Sequence, residues 1–249
     1  MLNIAIDAAK QGGELALKYF KSPPKTRYKA DKSPVTVADI EVEKLIRKLI
    51  NKNFPDHGII GEELPPANPK SKYQWVIDPI DGTRDFIRQI PYWAVFICVL
   101  NNNEPVVSVV YLPAIGKIMI AQKGKGTYIN GNRKKVSKTK DLKSAYISFG
   151  SMKRFEAYNK FRIFSDTIPK VSAARSYGNL GLQFLLEGKI DAMIEAFGGM
   201  YDFAAPSLLT EEAGGKFTDF SGKFSLTSGN AILSNGILHS QVLKLLNEK

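Results

Sequence analysis

The sequence predicts an α+β (α/β) protein whose two halves are built on different plans. Three observations carry that reading. Two stretches of helical periodicity open the chain, at residues 3–21 and 36–50. Short apolar or alternating segments then recur at 73–78, 93–100, 105–112, 116–122 and 126–130, separated by turn residues, as in an antiparallel sheet built of hairpins. From residue 146 onward strands alternate with helices, the pattern of a mixed sheet. The change of plan falls near residue 140 without a flexible linker, so residues 1–140 and 141–249 are read as closely joined halves.

The first helix rests on Ile4, Ala8, Leu15, Tyr19 and Phe20 at helical spacing. Residues 22–34 then break the periodicity with prolines, lysines and small residues and read as a long, basic, mobile loop. A cationic loop of that kind suits an anionic substrate. Thr36 with Asp39 three residues later resembles a capping box for the second helix, and locally Asp39 reads as its cap. A turn at 54–58 leads to a short strand, Ile59 to Gly61, that ends in Glu62 and Glu63. His57 lies in that turn with no partner in view and is assigned no role.

The run Trp75 to Phe86 is an apolar strand that stops in Asp78-Pro79-Ile80-Asp81-Gly82-Thr83. Pro79 disfavours continued pairing and places Asp78 at the strand's tip. Gly82 permits a sharp turn, and Thr83 can cap a following helical turn. Two readings stand side by side here. The acids either satisfy backbone amides in an Asp-Pro/Asp-Gly turn, or they share a hard cation that relieves their repulsion.

In the second half, helices are expected near 153–162, 177–187, 203–213 and 237–247, with strands near 146–149, 190–195, 216–220 and 230–234. The strand before Phe197 ends in Glu195. The helix after it has Asp202 as its expected N-cap, a small pair at Ala204 and Ala205, Pro206 near its start, and Gly214-Gly215 at its end. Taken alone, Asp202 is a cap.

Composition narrows the function classes. With 44% hydrophobic and 10% aromatic residues the chain is an ordinary globular protein. No apolar run is long enough to span a membrane, and residues 1–7 show no secretory signal, so a cytoplasmic protein with no membrane partner is expected. The one cysteine, Cys98, excludes internal disulfides and reads as a small core hydrophobe. A net charge of +11 admits nucleic acid, an anionic surface or a phosphorylated substrate. The bases are spread along the chain, dense only at 123–140 in what read as solvated hairpin turns, so no nucleic-acid partner is expected.

Glu62, Asp78, Asp81 and Asp202 all fall where an element ends or begins, the places that gather at the edge of a sheet. With the Ile80 carbonyl they make an oxygen-rich set fit for Mg²⁺, and a chain with two His and one Cys argues against zinc. A helix beginning at Gly82-Thr83 would present amides to an anion. Acids for metal, amides for phosphate and a basic loop together describe metal-assisted phosphate-ester hydrolysis.

Three stretches, Gly61-Glu62-Glu63, Asp78-Pro79-Ile80-Asp81-Gly82-Thr83 and Asp202-Phe203-Ala204-Ala205 with Glu212-Ala213-Gly214-Gly215, resemble the inositol monophosphatase family of Mg²⁺-dependent, lithium-sensitive phosphatases. A fourth, Pro34 to Asp39, is similar to that family's Val-Thr-x-x-Asp element. The resemblance implies a layered αβαβα sandwich, with an antiparallel sheet in the N-terminal half, a mixed sheet in the C-terminal half, and both halves forming one catalytic unit. It implies two or three Mg²⁺ ions, the first on Glu62, Asp78 and the Ile80 carbonyl and the second on Asp78, Asp81 and Asp202, with a weaker third leaning on Glu62 and waters. It implies that Thr83 and Asp39 orient and deprotonate the attacking water, that the Gly82 and Thr83 amides hold phosphate, and that Glu195 accepts from substrate hydroxyls. Expected substrate contacts also include Asp202, Ser151 and Arg175, with Lys153, Arg154, Asn179 and Leu180 nearby; the Arg175 guanidinium could grip a second phosphate.

The implied substrate is a small phosphorylated polyol or sugar: inositol monophosphate, and fructose 1,6-bisphosphate beside it. Related phosphatases act on histidinol phosphate or 3′-phosphoadenosine nucleotides, and a phosphate-binding relative without turnover is the alternative from another class. The resemblance also implies a homodimer. Asp85, Tyr201 and Pro206 depart from the residues many members carry, Asn, Trp and Gly or Ala respectively, which blurs the subgroup while removing no metal ligand.

Overall fold

The structure is a computed structural model that describes residues 1–22, 26–29, 34–157 and 161–247. The chain divides into two compact units, Met1–Lys123 and Gly124–Lys249.

The first unit opens with α1 (Leu2–Phe20). Its buried face is Ala5, Ala8, Ala9, Gly12, Gly13 and Ala16, while Ile4, Leu15, Tyr19 and Phe20 are only partly buried. The buried stripe is therefore the small-residue one, because small side chains let neighbours approach the helix closely. A Cβ at Gly12 would sit 3.1 Å from Ile46 and one at Gly13 2.6 Å from Pro113.

Next come β1 (Thr26–Tyr28) and β2 (Pro34–Thr36), paired antiparallel. The expected loop at 22–34 thus contains strand, and its residues 23–25 and 30–33 lie outside the described residues. Helix α2 (Val37–Asn53) follows, with Thr36 at its N-cap in the expected capping box with Asp39. Ala38, Val42, Ile46 and Ile50 are fully buried at spacings of four.

The sheet of this unit runs in the order β3 (Gly58–Gly61), β4 (Tyr73–Asp81), then, past the five-residue helix α3 (Thr83–Ile87), β5 (Ala94–Asn101), β6 (Glu104–Leu112) and β7 (Lys117–Gln122). It is the expected antiparallel meander except that β3 lies parallel to β4. Both α1 and α2 share one apolar core with this sheet, centred on Trp75, Ile77, Trp93, Ile97 and Val109. Cys98 is the buried core residue expected, taking a hydrogen bond from the Ser108 hydroxyl at 3.4 Å.

Strand β4 does not stop at Asp78; Pro79 is accommodated by an irregularity inside the strand. Asp78 pairs with Phe96 and Asp81 with Ala94, so three steps on β4 oppose two on β5. Side chains three apart on a regular strand point to opposite faces. The extra residue of the bulge restores parity and turns Asp78 and Asp81 to the same face.

The second unit begins with the hairpin β8 (Gly126–Ile129) and β9 (Asn132–Lys134). Glu212 holds the entry to it, accepting from the amides of Gly124 at 2.6 Å and Gly126 at 2.7 Å. Then follow β10 (Tyr146–Phe149), α4 (Met152–Ala157), α5 (Arg162–Thr167), β11 (Ala173–Arg175), α6 (Leu180–Leu186), β12 (Ala192–Glu195), α7 (Met200–Glu212), β13 (Lys216–Thr218), β14 (Ala231–Ser234) and α8 (His239–Asn247). The five-stranded sheet has the order β11-β10-β12-β14-β13, with β11, β10 and β12 mutually parallel and β13 and β14 antiparallel, which is the mixed sheet expected. Phe149, Phe155 and Phe164 cluster in its core, with ring centroids 4.7 to 5.8 Å apart.

Helix α7 starts at Met200 with Gly199 as N-cap, which corrects the expected start near 203. Asp202 is the third helical residue rather than the cap, and its carboxylate accepts from the Gly199 amide. Pro206 accordingly lies inside the helix, where it cannot donate to the carbonyl of Asp202. No helix among the described residues is long and apolar enough to cross a membrane.

Candidate active site

The first unit gathers most of the expected site around the bulge of β4. Asp78 is 1% exposed, and its Oδ1 accepts from the Ile80 amide at 3.0 Å, which shapes the backbone between the two acids. Asp78 and Asp81 each offer a carboxylate oxygen within 4.8 Å of the other's. Gly82 follows at φ 89°, ψ 35°, a left-handed conformation that favours glycine, and its carbonyl takes the amides of Asp85 at 2.9 Å and Phe86 at 3.0 Å. That turn starts α3 at Thr83, so Gly82 and not Thr83 occupies the N-cap.

Released from capping, the Thr83 hydroxyl faces the Ile80 carbonyl at 3.2 Å and the Asp39 Oδ1 at 3.4 Å. A hydroxyl carries one proton, so these two acceptors compete for it. Asp39 is wholly buried, and its Oδ2 accepts from the Thr36 amide at 2.7 Å and the Thr36 hydroxyl at 2.6 Å. The capping box therefore aims the other carboxylate oxygen at Thr83; the cap and the expected site residue are one and the same. Burial pushes the Asp39 carboxyl above its ordinary range, and the Thr36 hydrogen bonds oppose that only in part.

Glu62 follows the last residue of β3. Because β3 runs parallel to β4 with Gly61 opposite Ile77, the chain leaves the sheet level with Asp78 and the Glu62 amide donates to the Ile77 carbonyl at 3.2 Å. Its carboxylate accepts from the Lys29 ammonium at 2.8 Å, and Glu63 accepts from the same ammonium at 2.7 Å. The sequence reading missed Lys29. The basic segment was expected to face an anion, and this lysine instead pairs with two carboxylates. Burial alone would lower the Lys29 ammonium, but the hydrogen bonds to Glu62 and Glu63 outweigh it and hold it charged.

The expected donors of this unit, Glu62, Asp78, Asp81 and the Ile80 carbonyl, are all oxygen; of its carboxylates Asp78 and Asp81 are brought together, while Glu62 is taken by Lys29. His57 is occupied elsewhere, stacked between Phe54 and Tyr73 with its Nδ1 taking the Trp75 indole N–H at 3.0 Å. The paired carboxylates of Asp78 and Asp81 are hard oxygen donors that fit Mg²⁺ and give a softer metal nothing to prefer.

The second unit places its expected residues at one end of its sheet. Glu195 ends β12, Gly150 and Ser151 follow β10, and Arg175 ends β11, so all four stand at the carboxyl ends of three adjacent parallel strands. Ligands commonly bind at that end of a parallel sheet. Gly150 is there because a Cβ would overlap the Glu195 carboxylate. Ser151 precedes α4 and its carbonyl accepts the Arg154 amide at 2.9 Å. Arg154 lies over the Phe197 ring, 4.4 Å from its centroid, which accounts for it as a packed cation. Arg175 is exposed, as is Lys153, and Asn179 and Leu180 open α6. Asp202 is partly buried in the first turn of α7.

A model described as the inositol monophosphatase family matches residues 1–249. A histidinol-phosphatase of Mycobacterium tuberculosis is 36% identical over 88% of this chain and 86% of its own length. A fructose-1,6-bisphosphatase/inositol-1-monophosphatase of Aquifex aeolicus is 33% identical over 98% of this chain and 94% of its own. The solved structure of an inositol monophosphatase of Thermotoga maritima superimposes with a TM-score of 0.90 at 31% identity, covering 99% and 96% of the two chains.

Proposed function

The chain belongs to the inositol monophosphatase family and is a phosphomonoesterase, and from that premise we propose that it hydrolyses inositol monophosphate, with fructose 1,6-bisphosphate as a second substrate. The observation that carries the chemistry is the bulge in β4, which turns Asp78 and Asp81 to one face immediately before the Thr83–Asp39 pair. The full-length likeness to the Aquifex enzyme supports the substrate.

In this reading Glu62, Asp78, Asp81, the Ile80 carbonyl and Asp202 would be the ligands of two or three Mg²⁺ ions. Mg²⁺ bound there would supply the charge that activates a water and offsets the leaving alkoxide, so no covalent enzyme intermediate would be required. Thr83 orients the attacking water through its hydroxyl oxygen. Were the Ile80 carbonyl engaged as a ligand, Asp39 would be the acceptor left for the Thr83 hydroxyl proton, which places it as the base. The amides of Gly82 and Thr83 hold the phosphate. Glu195 accepts from substrate hydroxyls, and Ser151, Arg175 and Asp202 complete the substrate contacts. A cytoplasmic homodimer inhibited by millimolar lithium belongs to the same proposal.

A second reading, hydrolysis of histidinol phosphate, is favoured by the 36% identity to the mycobacterial enzyme. One panel separates the two: inositol 1-phosphate, fructose 1,6-bisphosphate, histidinol phosphate and 3′-phosphoadenosine 5′-phosphate, each with Mg²⁺. Inositol 1-phosphate is expected to turn over fastest, and a clear preference for histidinol phosphate overturns the first reading. Asp81→Asn in the same assay is expected to lose about 10³-fold in kcat, roughly 4 kcal/mol of barrier, while remaining folded. Near-normal turnover in that variant ends the metal-site assignment.

A further inference from the structure

Helix α2 carries Asp39, Glu43 and Arg47 at spacings of four, one column along a single face. Asp39 reaches Thr83. One turn further along, Glu43 is wholly buried and faces the segment that bears Glu62. Its Oε2 accepts from the Glu63 amide at 2.8 Å, and its Oε1 accepts from the Leu64 amide at 3.3 Å and from the Arg47 Nε at 2.7 Å. Arg47 closes the ring by donating from Nη2 to the Leu64 carbonyl at 2.9 Å. Gly61 is wrapped against the same carboxylate so closely that a Cβ there would overlap it.

The peptide of Glu62 is thus fixed from two directions. On one side its amide is tied to the Ile77 carbonyl of β4. On the other, the next two amides are tied to Glu43. We propose that Glu43 is a positioning residue for Glu62: its buried carboxylate, steadied by Arg47, sets the path of residues 61–64 and so the place at which the Glu62 carboxylate meets the cation held by Asp78. The proposal rests on Glu62 being a metal ligand. Glu43 touches neither metal nor substrate in this scheme, and its effect passes through the backbone it anchors.

The arrangement has a physical logic. A carboxylate ligand on the first residues after a strand would sample several positions, and the entropy of fixing it would weaken metal binding. A buried acid that accepts two backbone amides removes that freedom, in the way outer-shell partners of metal ligands do; losing such partners costs roughly 10–100-fold in metal affinity. A glycine at 61 follows, since any side chain would push the carboxylate out of the loop. An arginine at 47 follows as well, because a buried carboxylate without a cation is costly.

The test uses the full chain and three variants. Glu43→Gln keeps the shape and loses the charge and one acceptor. Arg47→Lys keeps the charge and loses the bond to the Leu64 carbonyl. Glu62→Gln removes the ligand itself. Three quantities are read: amide hydrogen exchange at Glu63 and Leu64 without metal, Mg²⁺ binding by titration calorimetry, and the Mg²⁺ dependence of turnover.

Glu43→Gln is expected to speed exchange at those two amides, to weaken Mg²⁺ binding roughly tenfold, and to raise the half-saturating Mg²⁺ by the same factor while the KM for the phosphate ester and kcat at saturating Mg²⁺ hold. Arg47→Lys is expected to move all three the same way by a smaller factor. A folded Glu43→Gln protein with Mg²⁺ binding unchanged overturns the proposal, and if that variant does not fold, Arg47→Lys decides by the same measure. If Glu62→Gln leaves Mg²⁺ binding where it was, the metal-site reading fails whatever Glu43 does. If Glu62→Gln weakens it and Glu43→Gln does not, only the role of Glu43 is lost.

Discussion

Asp39 in the first unit and Asp191 in the second are both buried carboxylates, and they are held in different ways. Asp191 joins three segments: its Oδ1 accepts from the Ser137 hydroxyl, its Oδ2 from the Tyr146 amide at 2.8 Å, and its own carbonyl from the Asn235 amide at 2.9 Å. Asn235 returns to Ser137 through its side chain at 2.9 Å, so the network closes on itself. Asp39 is tied down on one oxygen by two short bonds from Thr36, while its other oxygen faces the Thr83 hydroxyl at the longer distance of 3.4 Å. A buried acid with short donors on both oxygens is spent on holding elements together. One with an oxygen left to a distant hydroxyl, beside other acids, keeps basicity that chemistry can use.

That contrast predicts opposite outcomes for one kind of substitution. Asp39→Asn is expected to lower kcat by roughly 10²–10⁴-fold, the range for removing a general base, while costing only about 1 kcal/mol of stability through the weakened cap. Steady-state kinetics beside urea unfolding checks both, and a variant that unfolds while its folded fraction keeps full kcat would reverse the assignment. Asp191→Ala is expected to do the reverse. It strands the Ser137 hydroxyl and the Tyr146 amide, costs about 2–3 kcal/mol of stability, and leaves kcat per folded molecule unchanged.

A smaller effect sharpens the comparison from the second unit's side. His239 is buried with its Nε2 against the Thr218 hydroxyl and its Nδ1 against the Ser234 hydroxyl, each at 2.8 Å. Burial pushes the imidazole down to about 4. Unfolded, it titrates near 6.5. Between those values the unfolded chain binds a proton that the native state refuses, so stability is full above pH 6.5 and falls as pH drops toward 4. The loss is about 3 kcal/mol, read as a pH-dependent urea midpoint in the wild type that flattens in His239→Gln. An unchanged slope in that variant would remove His239 from the account.

Much of this was legible in the residues, and the exceptions share a cause. The capping box, the meander, the mixed sheet and the buried Cys98 follow from local pattern, because propensity and periodicity act over a few residues. The faces of Asp78 and Asp81 do not. A proline in a strand announces an irregularity, but only the pairing partners, Phe96 and Ala94, reveal that the irregularity inserts one residue and realigns the acids. The sequence favours Asp202 as the N-cap because Asp is a strong cap; Gly199, three residues earlier, takes that position, and Asp202 bonds back to it. Lys29 and Glu43 act across 33 and 20 residues of chain, on Glu62 and Glu63, and nothing local encodes such a partner. For Glu43 a signal did exist: an acid adjoining the buried Val42 and four residues from Arg47 sits where a helix should be apolar.

The sealed thiol in the middle of the first unit's sheet has a practical use. Cys98 is the chain's sole thiol, lies on β5 opposite Val76 of β4, and is pushed up to about 12 by burial. Alkylating reagents attack the thiolate, so in the native protein they must wait for those strands to part. The rate of modification therefore clocks how often this sheet opens, with no dye and no engineered residue. The same two strands carry Asp78 and its partner Phe96. A cation that settles on Asp78 should slow the clock, turning a core cysteine into a gauge of metal occupancy.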